Sequence, residues 1–481
     1  MTTTRTTALA VPGELTTSRR WLIVGICCLS LFIVGIDTTG LNLALPSIQR
    51  DLGATYSQLQ WVVDAYTLVI ASLLMLAGSV ADRIGRRRVF QVGLALFGAG
   101  SLLCSLAPTA GVLIASRMLQ AIGGSMLNPV AMSIITNTVR DAQERARAIG
   151  IWGGTVGLSM ALGPVVGGAL VDAIGWQAIF WLNIPVVVVA IALTIRFVPE
   201  SRAPKARRFD PIGQLCVMLL LGALTYGIIE GNNLGWTSVT VLGLLGTALL
   251  ALVVLVAYER RRIEPLLDPQ FFRSVPFSGS VLTAVLGFSA LGGFLFLNTL
   301  YLQDVRGLSP FHAGLMTLPM AAMTAICAPI SGRIVGSRGP RLPMIVAGVG
   351  ISTCAAILMT LRSDTRYAVL VVAYLAFGIG FGMLNAPITN SAVSGMPRAQ
   401  AGVAAAIAST SRQIGTALGV AVFGAITLGQ LNGPVAAGLA RASHLGWGVM
   451  LGCGLGVLAM AWLTTSGWAL RTRDLVGAEI G

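Results

Sequence analysis

Long apolar runs separated by short polar connections fill almost the whole chain, and each run is close to the ~20 residues that a helix needs to cross a bilayer. Fourteen such runs are found, at about 21–45, 59–81, 89–107, 111–134, 147–171, 178–198, 212–230, 238–258, 274–300, 311–334, 341–361, 367–390, 402–427 and 445–468. Lipid offers no partner for an open backbone, and the ten-residue alternation of a membrane barrel is missing, so the runs predict helices. The expected fold is therefore an all-α integral membrane protein with 14 transmembrane helices.

The connections set the orientation. Of the 32 Lys and Arg, only Arg50, Arg306, Arg362, Arg366 and Arg441 fall in one set of loops, and Arg117 and Arg412 lie inside spans. The other 25 share the opposite side with both tails, 1–20 and 469–481, which the positive-inside rule places in the cytoplasm of a cell membrane. The densest cluster, Gly78 to Arg88, joins helices 2 and 3 there. Gly78 and Gly85 are expected to allow a tight turn, and Asp82 with Arg86 forms a charged patch barred from lipid.

A repeat runs through the chain. Gly78 and Gly85 recur as Gly332 and Gly339, Met126-Leu127-Asn128 as Met383-Leu384-Asn385, and Gly163 as Gly419, at offsets of 254 to 257. Two parallel six-helix units follow, 21–198 and 274–468, with 199–273 carrying cytoplasmic connectors and an inserted pair, helices 7 and 8. The first connector is basic at Arg202, Lys205, Arg207 and Arg208.

Composition agrees with a membrane protein: 55% hydrophobic, 10% charged, mean hydropathy +0.82. The net charge of +14 does not indicate nucleic acid, because the cations sit in short loops rather than on amphipathic, aromatic-interleaved segments. All seven cysteines fall inside apolar runs without a CxxC pattern, which predicts buried thiols and no metal site.

Several stretches together resemble the major facilitator superfamily. Gly78 to Arg88 is similar to its loop signature, and Ile36 to Pro46 to the first-helix signature of its fourteen-span drug:proton antiporters. Arg117-Met-Leu-Gln120 with Gly123 and Gly124 resembles the helix-4 motif, with Ala121 where Gly is usual. Gly163, Pro164, Gly167 and Gly168 resemble the antiporter motif of helix 5, with Ser159 replacing its leading Gly, and Gly175-Trp176, Phe180 and Asn183-Ile-Pro185 add to the match. Within the branch, the chain looks like the methylenomycin-resistance-type multidrug exporters. The resemblance covers the whole chain and implies a monomeric exporter of drugs or secondary metabolites. A proton gradient would drive it, with no bound cofactor, and the helix-5 motif would seal the cavity against proton leak.

Ionisable residues inside spans are expensive and mark function. Asp37 lies ~24 Å along helix 1 at ~1.5 Å per residue. Arg117, just inside the outer end of helix 4, is at a similar depth, so the two can pair and handle a proton or cation, as the resemblance also implies, with a purely structural polar pair as the alternative. Asp64 and Glu230 are expected near water at helix ends, and Arg412 near the midplane has no assigned role.

Arg117, Gln120, Gly124 and Asn128 share one face of helix 4, and the repeat places Tyr374, Phe377, Phe381 and Asn385 on the matching face of helix 12. Gln120, Asn128, Tyr374, Phe377, Phe381 and Asn385 are thus candidates for a cavity receiving an apolar or cationic small molecule, with aromatic packing as the alternative. Asp82 is expected to latch the two halves against the start of helix 13 near Gly402.

Other cargo, such as a lipid, siderophore or nutrient, remains open. A membrane enzyme is disfavoured because only His312 and His444 are present, without HExxH or GxSxG, and no Walker A sequence suggests ATP.

Overall fold

A computed structural model describes residues 16–139, 141–203, 210–262, 268–396, 400–431 and 433–480. Most of the N-terminal tail and the connector cations Lys205, Arg207 and Arg208 lie outside these. Fourteen helices are long and apolar enough to span a membrane. They are helix 1 (Thr17–Leu52), 2 (Tyr56–Ile84), 3 (Arg86–Ser105), 4 (Ala110–Thr138), 5 (Gln143–Ala173), 6 (Ala178–Phe197), 7 (Pro211–Leu234), 8 (Val239–Glu259), 9 (Val275–Val305), 10 (Pro310–Arg338), 11 (Arg341–Leu358), 12 (Tyr367–Val393), 13 (Gly402–Leu428) and 14 (Val435–Leu463). The stretch expected as a C-terminal tail forms a further helix, Gly467–Ile480, whose Thr472 hydroxyl accepts from Val275 N at 3.0 Å.

Local chemistry sets the ends. Thr55 and Gln58 form a reciprocal capping box that starts helix 2, and Asp141 caps helix 5 through the Glu144 N–H. Helix 9 closes with a π turn over Tyr301–Val305. Helix 10 is interrupted at Thr317, where Pro319 in the next turn has no N–H to continue the ladder.

Packing repeats with the sequence. Helix 1 packs against 5, helix 3 against 4 and 6, and helix 2 against 4; eight helices on, 9 packs against 13, 11 against 12 and 14, and 10 against 12. Two six-helix bundles result. Between them, helix 2 meets helix 13, helix 5 meets helix 10, and helix 7 touches both 2 and 13. All seven cysteines are buried free thiols.

The turn after helix 2 differs from expectation. Gly78 is inside helix 2 with open space around it, and the left-handed position is Gly85 alone, at φ 128°. A β-carbon there would stand 2.6 Å from Glu200 Oε1. Glu200 in turn accepts from Arg87 N at 3.1 Å, and Arg86 N donates to Ser201 O at 2.9 Å, so the turn is tied to the end of helix 6 in its own half.

Candidate functional site

Four helices of the first half bring five polar side chains to a point buried within that half. Asp37 comes from helix 1, Ser101 from helix 3, Arg117 and Gln120 from helix 4, and Asn183 from helix 6. Helices 3 and 4 approach closely because Gly100 lies on Gln120, where a β-carbon would be 2.5 Å from its Cα. That contact puts Ser101 in reach of the helix-4 amide.

The expected pair forms, and it is fully enclosed: Asp37 is 0% and Arg117 1% exposed. Arg117 Nη1 donates to Asp37 Oδ2 at 2.5 Å and to Gln120 Oε1 at 2.6 Å, and Nε donates to Val62 O at 3.3 Å. The guanidinium also lies 4.0 Å from the Tyr66 ring centroid. Asp37 Oδ1 accepts from Gln120 Nε2 at 2.9 Å and Asn183 Nδ2 at 3.0 Å. Both amides also donate to Ser101 Oγ, at 2.8 and 3.2 Å. Each charge is neutralised and hydrogen-bonded, the condition under which a buried pair is tolerated. Asn183 and Ser101 were missed as members of the site. An Asn within an apolar span was the available signal for the first; a serine carries no comparable signal.

The cavity candidates divide. Gln120 belongs to the ion-pair network rather than to a cavity wall. Tyr374 and Phe377 are 0% exposed and form an aromatic core with Phe294, whose ring is stacked on Phe377 at 4.6 Å; the Tyr374 hydroxyl donates to Asn298 Oδ1. Periodicity placed them on the right face, but helix 9 covers it. Phe381 alone of the three reaches the cavity between the halves, with Thr39, Met160, Leu291, Leu295 and Met320. Asn128 and Asn385 are half-buried. The hydroxyls of Thr39 and of nearby Thr324 each donate to their own helix, leaving an apolar apex.

This cavity is sealed at one end only. Gly150, Gly154, Gly157, Pro164 and Gly168 share a face of helix 5. At Gly168 an added β-carbon would collide with Pro310 O, and at Gly314 it would lie 2.5 Å from Pro164 O. On the same half of the helix, Gly163 abuts Thr39 and Gly167 abuts Gly40. Among the described residues, Gly150, Gly153, Gly154 and Gly157, toward the arginine-rich end, meet nothing within 4 Å. Further bonds cross between the halves at the far end. Gln60 Nε2 donates to Val420 O at 3.0 Å, Gln303 Nε2 to Leu43 O at 2.8 Å, and Phe311 N to Asp172 Oδ2 at 3.0 Å.

Three charged residues stand differently from expectation. Asp82 pairs with Arg86 at 2.9 Å rather than with the start of helix 13, and Gly402 has open space around it. Asp64 is 0% exposed, because helix 13 covers the face that its depth along helix 2 suggested was wet. Glu230 is half-buried and accepts from Ser57 Oγ and from Trp61 Nε1 at 3.1 Å, tying helix 7 to helix 2. Arg412 donates to Thr389 Oγ1 at 2.6 Å and Ser409 Oγ at 3.3 Å.

Known proteins share this architecture. The chain matches the Major Facilitator Superfamily model over residues 27–420. It is 39% identical over 415 residues to multidrug resistance protein Stp of Mycobacterium tuberculosis, covering 86% of this chain and 77% of the relative. It is 36% identical over 393 residues to the methylenomycin A resistance protein of Streptomyces coelicolor, covering 81% and 82%. For the multidrug efflux pump LfrA of Mycolicibacterium smegmatis the values are 32% over 415 residues, 85% and 81%. Among solved structures, the xylose transporter XylE of E. coli in a partially occluded inward-open conformation superposes with TM-score 0.62 at 17% identity, covering 91% of this chain and 97% of that one. Fourteen spans in two equivalent bundles, and a family match across both, lead to one assignment: the chain belongs to the Major Facilitator Superfamily.

Proposed function

We propose that this protein exports drug-like or secondary-metabolite molecules from the cell in exchange for protons, by alternating access. The observation that carries the reading is the one-sided closure: the halves are locked at the far end of helices 5 and 10 and parted beside Gly150–Gly157. With the arginine-rich end in the cytoplasm, as the loop charges require, this is a state ready to load cargo from inside. The narrow apex around Phe381, Met160 and Met320 is lined by apolar, aromatic and thioether groups, which would contact an apolar or aromatic-cationic molecule as the cavity widens. Relatives whose names describe multidrug and antibiotic resistance support the same class of cargo.

Proton coupling is assigned to Asp37 and Arg117. Protonation of Asp37 from outside would weaken the attraction at Arg117 Nη1 and free Gln120 and Asn183 to rearrange, loosening helix 1 against helices 4 and 6. Loss of that proton to the inside would restore the network seen here. Helix 1 packs on helix 5, which forms the seal with helix 10, so a shift at Asp37 is transmitted to the gate.

The test is accumulation of a fluorescent dye and of antibiotics in cells expressing the protein, with and without an uncoupler. Low accumulation that rises when the proton gradient collapses is expected. Unchanged efflux after uncoupling would overturn the coupling, and no efflux of any drug-like probe would favour other cargo.

A further inference from the structure

A second carboxylate in the membrane region is not used by that mechanism. Asp64 is 0% exposed, and neither of its oxygens has a hydrogen-bond partner among the described residues. It lies between Gln60 and Leu68 on the face of helix 2 that meets the other half. Gln60 Nε2 donates there to Val420 O and Ala421 O of helix 13, and Leu68 packs with Ala417 of helix 13 and Val217 of helix 7. The carboxyl group therefore sits in a dry seam between the two bundles, toward their sealed end.

Its charged and titratable neighbours are already occupied. On helix 1, Asp37 is held by Arg117 of helix 4. On helix 7, Glu230 accepts from Ser57 and Trp61, the Tyr226 ring lies 5.4 Å from that of Trp61, and Cys216 is in the apolar cluster with Leu68. Arg412 of helix 13 donates to Thr389 and Ser409. A bare carboxylate in such a place costs several kcal/mol, whereas the neutral acid does not carry that penalty. Asp37, with a cation and two amide donors, is in the opposite situation.

We propose that Asp64 is a second proton-binding site, and that the far-end seam between helices 2 and 13 closes over its protonated form. When the seam is open, water reaches the carboxylate, a proton passes from solvent to one carboxylate oxygen, and the neutral group can be buried. Reopening returns water and lets the proton go. The two acids then have divided tasks: Asp37 pairs with Arg117 in the state described here, and Asp64 holds the proton. Only the consequence for transport rests on the proton-exchange reading; binding of the proton does not.

Infrared spectroscopy of the purified full chain in nanodiscs tests this. At neutral pH the wild type is expected to show the C=O band of a protonated, solvent-shielded carboxylic acid, lost in Asp64→Asn and kept in Asp37→Asn. Absence of the band from the wild type, or its survival in Asp64→Asn, overturns the proposal. A second measurement uses spin labels at Asp51 and Gln430, at the far ends of the two halves. The wild type is expected to open there as pH rises, and Asp64→Asn, a permanent mimic of the neutral acid, to stay closed at every pH. Opening of that variant with the wild-type pH profile overturns it equally. If wild-type efflux is indifferent to an uncoupler while the band behaves as stated, the export mechanism fails and the site stands.

Discussion

Arg117 Nη1 carries two N–H protons and donates to both Asp37 Oδ2 and Gln120 Oε1, at 2.5 and 2.6 Å, so one nitrogen ties the acid to the amide. Neutralising Asp37 removes the ionic part of the first bond and leaves the second in place. Asp37→Asn is expected to fold and insert while losing gradient-driven efflux, read as dye accumulation equal to that of cells lacking the protein. Arg117→Ala leaves the carboxylate buried alone and is expected to cost about 3–5 kcal/mol of stability. Thermal unfolding in detergent checks this, and the double variant Asp37→Asn with Arg117→Gln should recover much of the stability without the transport.

The seal of helix 5 on helix 10 has no room for a side chain at Gly168, where a β-carbon meets the backbone oxygen of Pro310. Gly168→Val is expected to hold the far end ajar, at a packing cost of about 1–3 kcal/mol. Spin labels at Asp51 and Gln430 should then report a longer distance than in the wild type. Gly153→Ala, with no neighbour within 4 Å, should leave that distance and efflux unchanged.

Phe377 and Phe381 sit one turn apart with parallel rings, yet only the second lines the cavity. Phe377→Ala should cost about 3–5 kcal/mol as a core truncation. Cargo preference should not change, apart from the lower yield of folded protein. Phe381→Ala should change the ranking of exported drugs in addition to a truncation cost of its own, because Phe381 is buried against Phe288 and Phe377. A panel of minimum inhibitory concentrations separates the two outcomes.

Helix 7 fastens to both halves at the far end, through Glu230 to Ser57 and Trp61 of helix 2 and through Asn232 Nδ2 to Ala425 O of helix 13. Glu230→Ala leaves the part-buried Trp61 N–H without its acceptor, an effect of about 1 kcal/mol for a bond of this kind. Asn232→Ala is expected to speed exchange between far-end-open and far-end-closed populations, measured with spin labels at Asp51 and Gln430.

Much of this was legible in the residues. Span number and repeat follow from run length and offset, and the meeting of Asp37 with Arg117 follows from helical rise, because both lie at one depth. Depth says nothing about sideways neighbours, however. Asp64 looked wet from its position along helix 2 but is covered by helix 13. The aromatic face of helix 12 has one periodicity whether it fronts a cavity or helix 9, so Tyr374 and Phe377 could not be told from Phe381. Gly78 reads as a turn residue because glycine is permissive, although helix 2 runs straight through it. Asn183 and Ser101 join Asp37 only through packing of helix 3 on helix 4 and of helix 6 on helices 1 and 3, a tertiary fact that no spacing encodes.

The unequal surroundings of the helix-5 glycines have a consequence for how such a gene drifts. At Gly150, Gly153, Gly154 and Gly157 a β-carbon enters open space, whereas at Gly163, Gly167 and Gly168 it strikes Thr39, Gly40 and Pro310. Mutations that redraw the loading end can therefore accumulate one at a time, each tolerated when it arises. At the other end a change survives only with a compensating change in helix 1 or helix 10. Variation in helix 5 is thus freer at its open end than at its closed one.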